Sequence, residues 1–208
     1  MTKTRWMAAV AAAALAAAPL QAPAQMVGDT GLVLASAEAA LERRMEPIAD
    51  LSLEVSLSER TLSLMSGDRV VRQYPVSVGK SSHPTPAGSF RINRLIWNPS
   101  WHPPASAWAR DKRPEGPGSP GNPMGRVKIF FQEPDYYLHG TGHASSLGEA
   151  LSHGCVRLRN ADAAEVARYV MMAGGANRDQ AWFQQVSRER TTSRTVSLQR
   201  PVRIRVVQ

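Results

Sequence analysis

Cys155 is the one cysteine of the 208-residue chain, and it stands in Ser152-His153-Gly154-Cys155-Val156-Arg157-Leu158. A second cluster, Tyr137-Leu138-His139-Gly140-Thr141-Gly142-His143, precedes it. A thiol alone is a modest nucleophile near neutral pH. An imidazole beside it can take the proton and hold the pair as thiolate and imidazolium. Two histidines are close in sequence: His153, two residues before the cysteine, and His139, sixteen before it. Sixteen residues suffice for one loop to leave a strand and bring the chain back beside it. Gly154 permits a tight backbone at the nucleophile. Backbone N–H groups in such a turn can stabilise a developing oxyanion. Arg157 offers a planar fork that fits a carboxylate. Together these types suit nucleophilic attack on a carbonyl carbon. Singly, each has a plainer role: a small buried hydrophobe, a hydrogen-bonding ring, a solvated cation.

The start of the chain changes how that cysteine is read. Lys3 and Arg5 are followed by an uncharged, alanine-rich run from Trp6 to Leu20, and Ala22-Pro23-Ala24 gives a small-x-small cleavage pattern. Residues 1–24 therefore read as a signal peptide, since the apolar run Trp6–Leu20 is short for a membrane span, which needs about 20 apolar residues. The chain is expected to be exported, to the periplasm or cell envelope. There thiols tend to be paired. A lone thiol in such a place is either buried and inert or kept for its reactivity.

The elements around the cluster follow from periodicity. Residues 25–50 read as a leader with a short helix over Ala37–Met45, ended by Pro47. From Leu51 the period becomes two, giving strands at Leu51–Leu57, Thr61–Met65 and Val70–Val78 in an antiparallel meander. Gly88–Trp97, Val127–Phe131, Tyr136–His139, Val156–Leu158 and Val202–Val207 read as further strands. Asn160 is the expected N-cap of a helix over Ala161–Ala173, with Val166, Val170 and Met171 on its buried face. A second helix is expected over Asp179–Val186. Residues 98–123 hold seven of the 15 prolines, with Trp101 and Trp108. A loop this long is commonly functional, and it reads as an active-site loop facing substrate.

Charge narrows the function classes. The chain carries 25 basic and 17 acidic residues, formally +8. Removing the signal takes away two positive charges. Seven arginines fall in residues 178–208, and Arg203-Ile204-Arg205 alternates as one solvated strand face would. With no recognisable nucleic-acid motif beside them, and with export expected, no nucleic-acid partner is expected.

The His139-Gly140-Thr141 and Ser152-His153-Gly154-Cys155-Val156-Arg157-Leu158 segments resemble the L,D-transpeptidase catalytic domain family (YkuD-like). Pro75-Val76-Ser77-Val78-Gly79-Lys80, Pro84-Thr85-Pro86-Ala87-Gly88-Ser89-Phe90, Asn122-Pro123-Met124-Gly125, Asn160-Ala161-Asp162 and Pro201-Val202-Arg203-Ile204 extend the likeness over about residues 50–208. The resemblance implies a catalytic domain over 51–208. Its fold would be mostly β, a sandwich or distorted barrel with one main helix after the cysteine strand. It implies a peptidoglycan-modifying enzyme. Cys155 would attack the tetrapeptide stem, release D-alanine and hold a thioester. An amine would then resolve it to a 3→3 cross-link. His139 would be the general base, oriented by the backbone carbonyl of Gly140. His153 with the backbone of Gly154 and Cys155 would line the oxyanion site. Ser152 and Arg157 would shape the site or bind a stem carboxylate. No cofactor and no metal would be needed, and a carbapenem would inhibit covalently. The acceptor stays open: an amine of another stem, a lysine of an envelope protein, or water, as in an L,D-carboxypeptidase. Activity would fall in acid as the thiol–imidazole pair takes up protons.

Other readings compete. Ser77-Val78-Gly79-Lys80 fits Ser-x-x-Lys, but Ser-Asp-Asn and Lys-Thr-Gly are missing. His139, His143, His153 and Cys155 are zinc-ligand types, but His139-x3-His143 lacks the metalloprotease glutamate and carries two glycines. A wall-binding protein without chemistry would not need His139, His153, Cys155 and Arg157 together.

Overall fold

The computed structural model describes residues 45–208 of the chain. The signal expected at 1–24, and the leader helix apart from Met45, lie outside the described residues.

Alternation builds the first strands. β1 (Leu51–Ser56) buries Leu51, Leu53 and Val55 and leaves Ser52, Glu54 and Ser56 half-exposed. β2 (Thr61–Ser66) and β3 (Arg69–Pro75) follow it antiparallel. β4 (Gly88–Trp97), β5 (Val127–Gln132), β6 (Tyr136–Thr141), β7 (Val156–Arg159) and β8 (Arg194–Val207) complete one sheet in the order β3-β2-β1-β8-β4-β5-β6-β7. Two neighbouring pairs, β1–β8 and β6–β7, are parallel.

The third strand stops at Pro75, short of the expected Val78. Ser77 instead crosses to β7, where its N–H and C=O pair with Arg157 at 3.0 and 2.8 Å. That bridge brings the two ends of the sheet together into a nearly closed, barrel-like wall. The mostly-β fold with one main helix is thus present. The last strand is longer than expected, because it begins before Pro201. Register against β4 shifts between Ile92 and Arg94, opposite residues 198–201. An irregularity of this kind lets a strand pass a proline that has no N–H for the ladder.

The helix α1 (Asn160–Ala173) buries Val166, Val170 and Met171 against the sheet, as its spacing predicts. Asn160 is not its cap. It is the first helical residue, and Arg159 holds the cap position without a side-chain bond. The second helix, α2 (Gln180–Arg188), is capped by Asp179, whose carboxylate accepts the Trp182 N–H at 2.8 Å. Trp97 of β4 ties both helices to the sheet. It is fully buried, donates to the Met171 sulfur at 3.3 Å, and meets Phe183 edge-on.

The C-terminal arginines are dispersed rather than massed. Arg203 pairs with Asp50 at 2.9 Å, Arg205 with Glu54, and Arg194 with Glu189. The outward strand faces neutralise much of the local charge.

Candidate active site

Strand parity decides which side chains meet. Leu138, Val156 and Leu158 of β6 and β7 point into the core and are fully buried. Their neighbours Tyr137, His139, Cys155 and Arg157 therefore share the other face. The two strands run parallel with Leu138 opposite Val156 and His139 opposite Arg157. One step earlier Cys155 comes beside Tyr137, diagonal to His139. Diagonal neighbours sit about 7–8 Å apart, within reach of an aromatic ring. β5 contributes Lys128, directly opposite His139 on its other side.

His139 is 3% exposed, and its Nδ1 lies 2.8 Å from the Gly140 carbonyl oxygen. A carbonyl only accepts, so Nδ1 carries the proton and Nε2 is left as the basic nitrogen. Burial is the main cause that pushes the imidazole down from 6.5 to about 3. Arg157 and Lys128 push the same way, and the Gly140 and Pro123 carbonyls oppose them. Cys155 keeps some accessible surface, but its sulfur is hemmed in and donates to the Asp135 carbonyl at 3.3 Å. Burial raises the thiol, while bonds from the main chain and hydroxyl of Tyr137, and the charges of Lys128 and Arg157, pull it down. These directions favour a neutral thiol beside a neutral imidazole in the resting site, rather than a standing ion pair.

The turn before Cys155 is built by Ser152. Its hydroxyl accepts the Gly154 N–H at 3.1 Å and donates to the Cys155 carbonyl at 2.5 Å. The segment after β3 holds Ser152 in turn: Ser152 N–H reaches the Val78 carbonyl at 3.0 Å, and Lys80 N–H reaches the Ser152 carbonyl at 3.1 Å. The Ser152 hydroxyl is thus taken up within the turn. Gly154 sits at φ +108 with the Tyr136 ring 2.8 Å from where a Cβ would be. Only glycine takes this conformation readily.

His153 carries its ring out of the turn. Trp108 stacks on it at 3.9 Å and 15°, and His83 meets it edge-on at 4.9 Å. The proline-rich segment 98–123 thereby lies against the cysteine turn. Within it, Trp101 and Glu115 exchange main-chain bonds of 2.8 and 2.9 Å. Arg157 is half-buried. Among the described residues no carboxylate pairs with its guanidinium or with the Lys128 ammonium.

Asn160, read from the sequence as a helix cap and as part of the family likeness, instead braces the candidate site. Its Oδ1 accepts the Arg126 N–H at 3.1 Å and its Nδ2 donates to the Thr141 carbonyl at 3.3 Å. It therefore locks the strand end that carries His139 to the loop before β5. The sequence marks Tyr137 and Trp108 only as parts of their segments and does not single out Lys128. A charged residue inside Val127-Lys128-Ile129-Phe130-Phe131 was the available signal for Lys128.

The competing residues fall elsewhere. Ser77 is fully buried under β7, closed to any polymer substrate. His143 is exposed and closes a turn through its main chain. Among the described residues no three His, Cys, Asp or Glu side chains gather as a metal-binding group.

Residues 50–203 match YkuD, the L,D-transpeptidase catalytic domain. The chain belongs to this family. Among relatives, it is 36% identical over 118 residues to the L,D-transpeptidase YkuD of Bacillus licheniformis, covering 57% of this chain and 59% of that one. The chain thus spans about three fifths of the length of that relative. An L,D-transpeptidase from Mycobacterium smegmatis aligns in structure with TM-score 0.48 at 18% identity, over 77% of this chain and 59% of that one. The L,D-transpeptidase LdtMt1, solved in complex with imipenem, aligns with TM-score 0.45 at 21% identity, over 76% and 59%. In this L,D-transpeptidase domain, the family-matched span contains Lys128, Tyr137, His139, Cys155, Arg157 and Asn160.

Proposed function

We propose that this protein is an exported, cysteine-dependent L,D-transpeptidase acting on peptidoglycan tetrapeptide stems in the cell envelope. The observation that carries the reading is the shared face of β6 and β7. It sets Cys155 diagonal to a His139 whose tautomer is fixed by the Gly140 carbonyl.

The stem binds with the carbonyl carbon of its third residue above the Cys155 sulfur. The sulfur attacks, and the thiol proton passes to Nε2 of His139. The carbonyl oxygen gains charge. The Cys155 N–H is the donor best placed for it, since the Gly154 N–H is turned to Ser152, with His153 beside the turn. The carbon–nitrogen bond then breaks. D-alanine leaves with the proton returned by His139, and a thioester stays on Cys155. An acceptor amine attacks the thioester, gives its proton to His139, and expels the sulfur, forming the 3→3 amide. Arg157, half-buried without a carboxylate partner, holds a carboxylate of the stem. Trp108 and its loop cover the cleft and retain the peptide.

Purified protein incubated with disaccharide-tetrapeptide is expected to release D-alanine and to form a dimer with the mass of a 3→3 product. Imipenem is expected to add its mass to the wild-type protein and not to Cys155→Ala. Release of D-alanine by Cys155→Ala, or a wild type neither modified by imipenem nor active on stems, would overturn the reading. A free tripeptide as sole product would make water the acceptor.

A further inference from the structure

Lys128 lies outside the segments that carry the family resemblance, yet its position on the sheet is notable. Val127 and Ile129 on either side are fully buried in the core. Parity therefore turns Lys128 to the face that holds the reacting pair. It stands in register with His139 on β5, as Arg157 does on β7. The imidazole is thus the middle of a three-strand row with a cation at each end. The Lys128 ammonium lies 4.6 Å from the centroid of the Tyr137 ring. Tyr137 in turn bonds the Cys155 sulfur through its hydroxyl. Lys128 is half-buried, and among the described residues no carboxylate pairs with it.

We propose that Lys128 is a positioning residue of this site: it places a fixed positive charge that limits how many protons the Cys155–His139 pair can hold. The inference rests on the reading of that pair as nucleophile and base. Its logic is charge counting. A thiol with a neutral imidazole, and a thiolate with an imidazolium, have the same net charge. A neighbouring cation leaves their sum untouched. It does oppose the doubly protonated pair, thiol with imidazolium, which is the dead form. It also favours the thiolate with a neutral imidazole.

The other charges facing the pair are few. Arg157 acts from β7 in the same sense. Tyr137 bonds the sulfur from β6, with Asp135 beside it. His153 lies on the turn, itself faced by Lys80 and His83. Arg94 reaches Lys128 from β4 but is bound to Glu133 at 2.6 Å. Burial and Arg94 push the Lys128 ammonium down, and Cys155 pushes it up. The lysine and the thiol thus sense one another.

The test is alkylation of Cys155 by iodoacetamide across pH, read by intact mass, in the full chain. In Lys128→Met the rising limb is expected to move up by about one pH unit. The rate at pH 8 then falls about tenfold. Lys128→Arg keeps the charge and is expected to keep the wild-type profile. A folded Lys128→Met whose profile overlays the wild type overturns the proposal. So does an equal loss of rate in the Met and Arg variants with no displacement along the pH axis, which would mark a packing role. If Lys128→Met does not fold, Lys128→Gln is read by the same criteria. Alkylation needs no acyl donor. A displaced profile in a protein inactive on stems would retain Lys128 and sink the proposed reaction; stem turnover with an undisplaced profile would do the reverse.

Discussion

The amide of Asn160 occupies the space that a side chain at Gly140 would need: a Cβ there would lie 2.2 Å from Asn160 Oδ1. Gly140 also supplies the carbonyl that holds His139. One residue pair therefore sets both the strand end and the direction of the basic nitrogen. Gly140→Ala is expected to displace Asn160 and to cut D-alanine release about a hundredfold, since small misplacements at a reacting pair carry that penalty. Asn160→Ala leaves the Arg126 N–H and the Thr141 carbonyl without their partner, and should cost about 1–3 kcal/mol in urea unfolding. The double variant should lose less stability than the two single losses added, because the clash and the lost amide are the same event. Strict additivity would refute the coupling.

His139 should couple stability to acid. Its folded value, about 3, lies below the ordinary 6.5. The unfolded chain therefore binds a proton near pH 6.5 that the folded chain refuses until about pH 3. The contribution is complete above 6.5 and is lost as pH falls through that window. Urea midpoints at pH 7 and pH 4 should separate more in wild type than in His139→Gln. Parallel lines would contradict the burial argument. The same shift moves the acid fall in activity from the ordinary imidazole range toward pH 3, lower than a free thiol–imidazole pair would give.

Trp108 covers His153 from a segment outside the main core. A ring stack is worth about 0.5–1.5 kcal/mol. Trp108→Ala is expected to raise KM for a tetrapeptide stem several-fold, leave Tm close to wild type, and quicken Cys155 alkylation at fixed pH. A fall in Tm without a change in KM would make Trp108 a structural residue only.

Gly154→Ala places a Cβ against the Tyr136 ring at a backbone angle of φ +108. Strain of this kind is about 1–3 kcal/mol. The variant is expected to unfold at lower urea and to lose imipenem acylation. Arg205→Ala provides the contrast. Its ion pair with Glu54 is solvent-exposed, and its removal should change stability by less than about 1 kcal/mol.

Much of the architecture was legible along the chain. The alternation Leu51, Leu53, Val55 set β1, and the spacing of Val166, Val170 and Met171 set the buried face of α1, because each period depends only on local geometry. Elements whose limits depend on partners were less legible. Val70–Val78 reads as one strand, but Ser77 leaves β2 for β7. Asn160 fits a helix cap by type, but Gly125 in the loop before β5 and Gly140 in β6 leave the space that its amide fills.

The site divides in the same way. The motif around Cys155 and the preceding His139 marked the candidate nucleophile and base, since those residue types and their spacing are written in the chain itself. That Lys128 and Arg157 flank His139, and that Trp108 covers His153, are relations between separate segments of the chain. Only the parallel register of β6 and β7, the pairing of β5 with β6, and the path of the proline-rich loop bring them together. The protonation of the pair was undecidable from composition for the same reason. It depends on how deeply the sheet and its neighbours bury two groups that, in an unfolded chain, water would solvate alike.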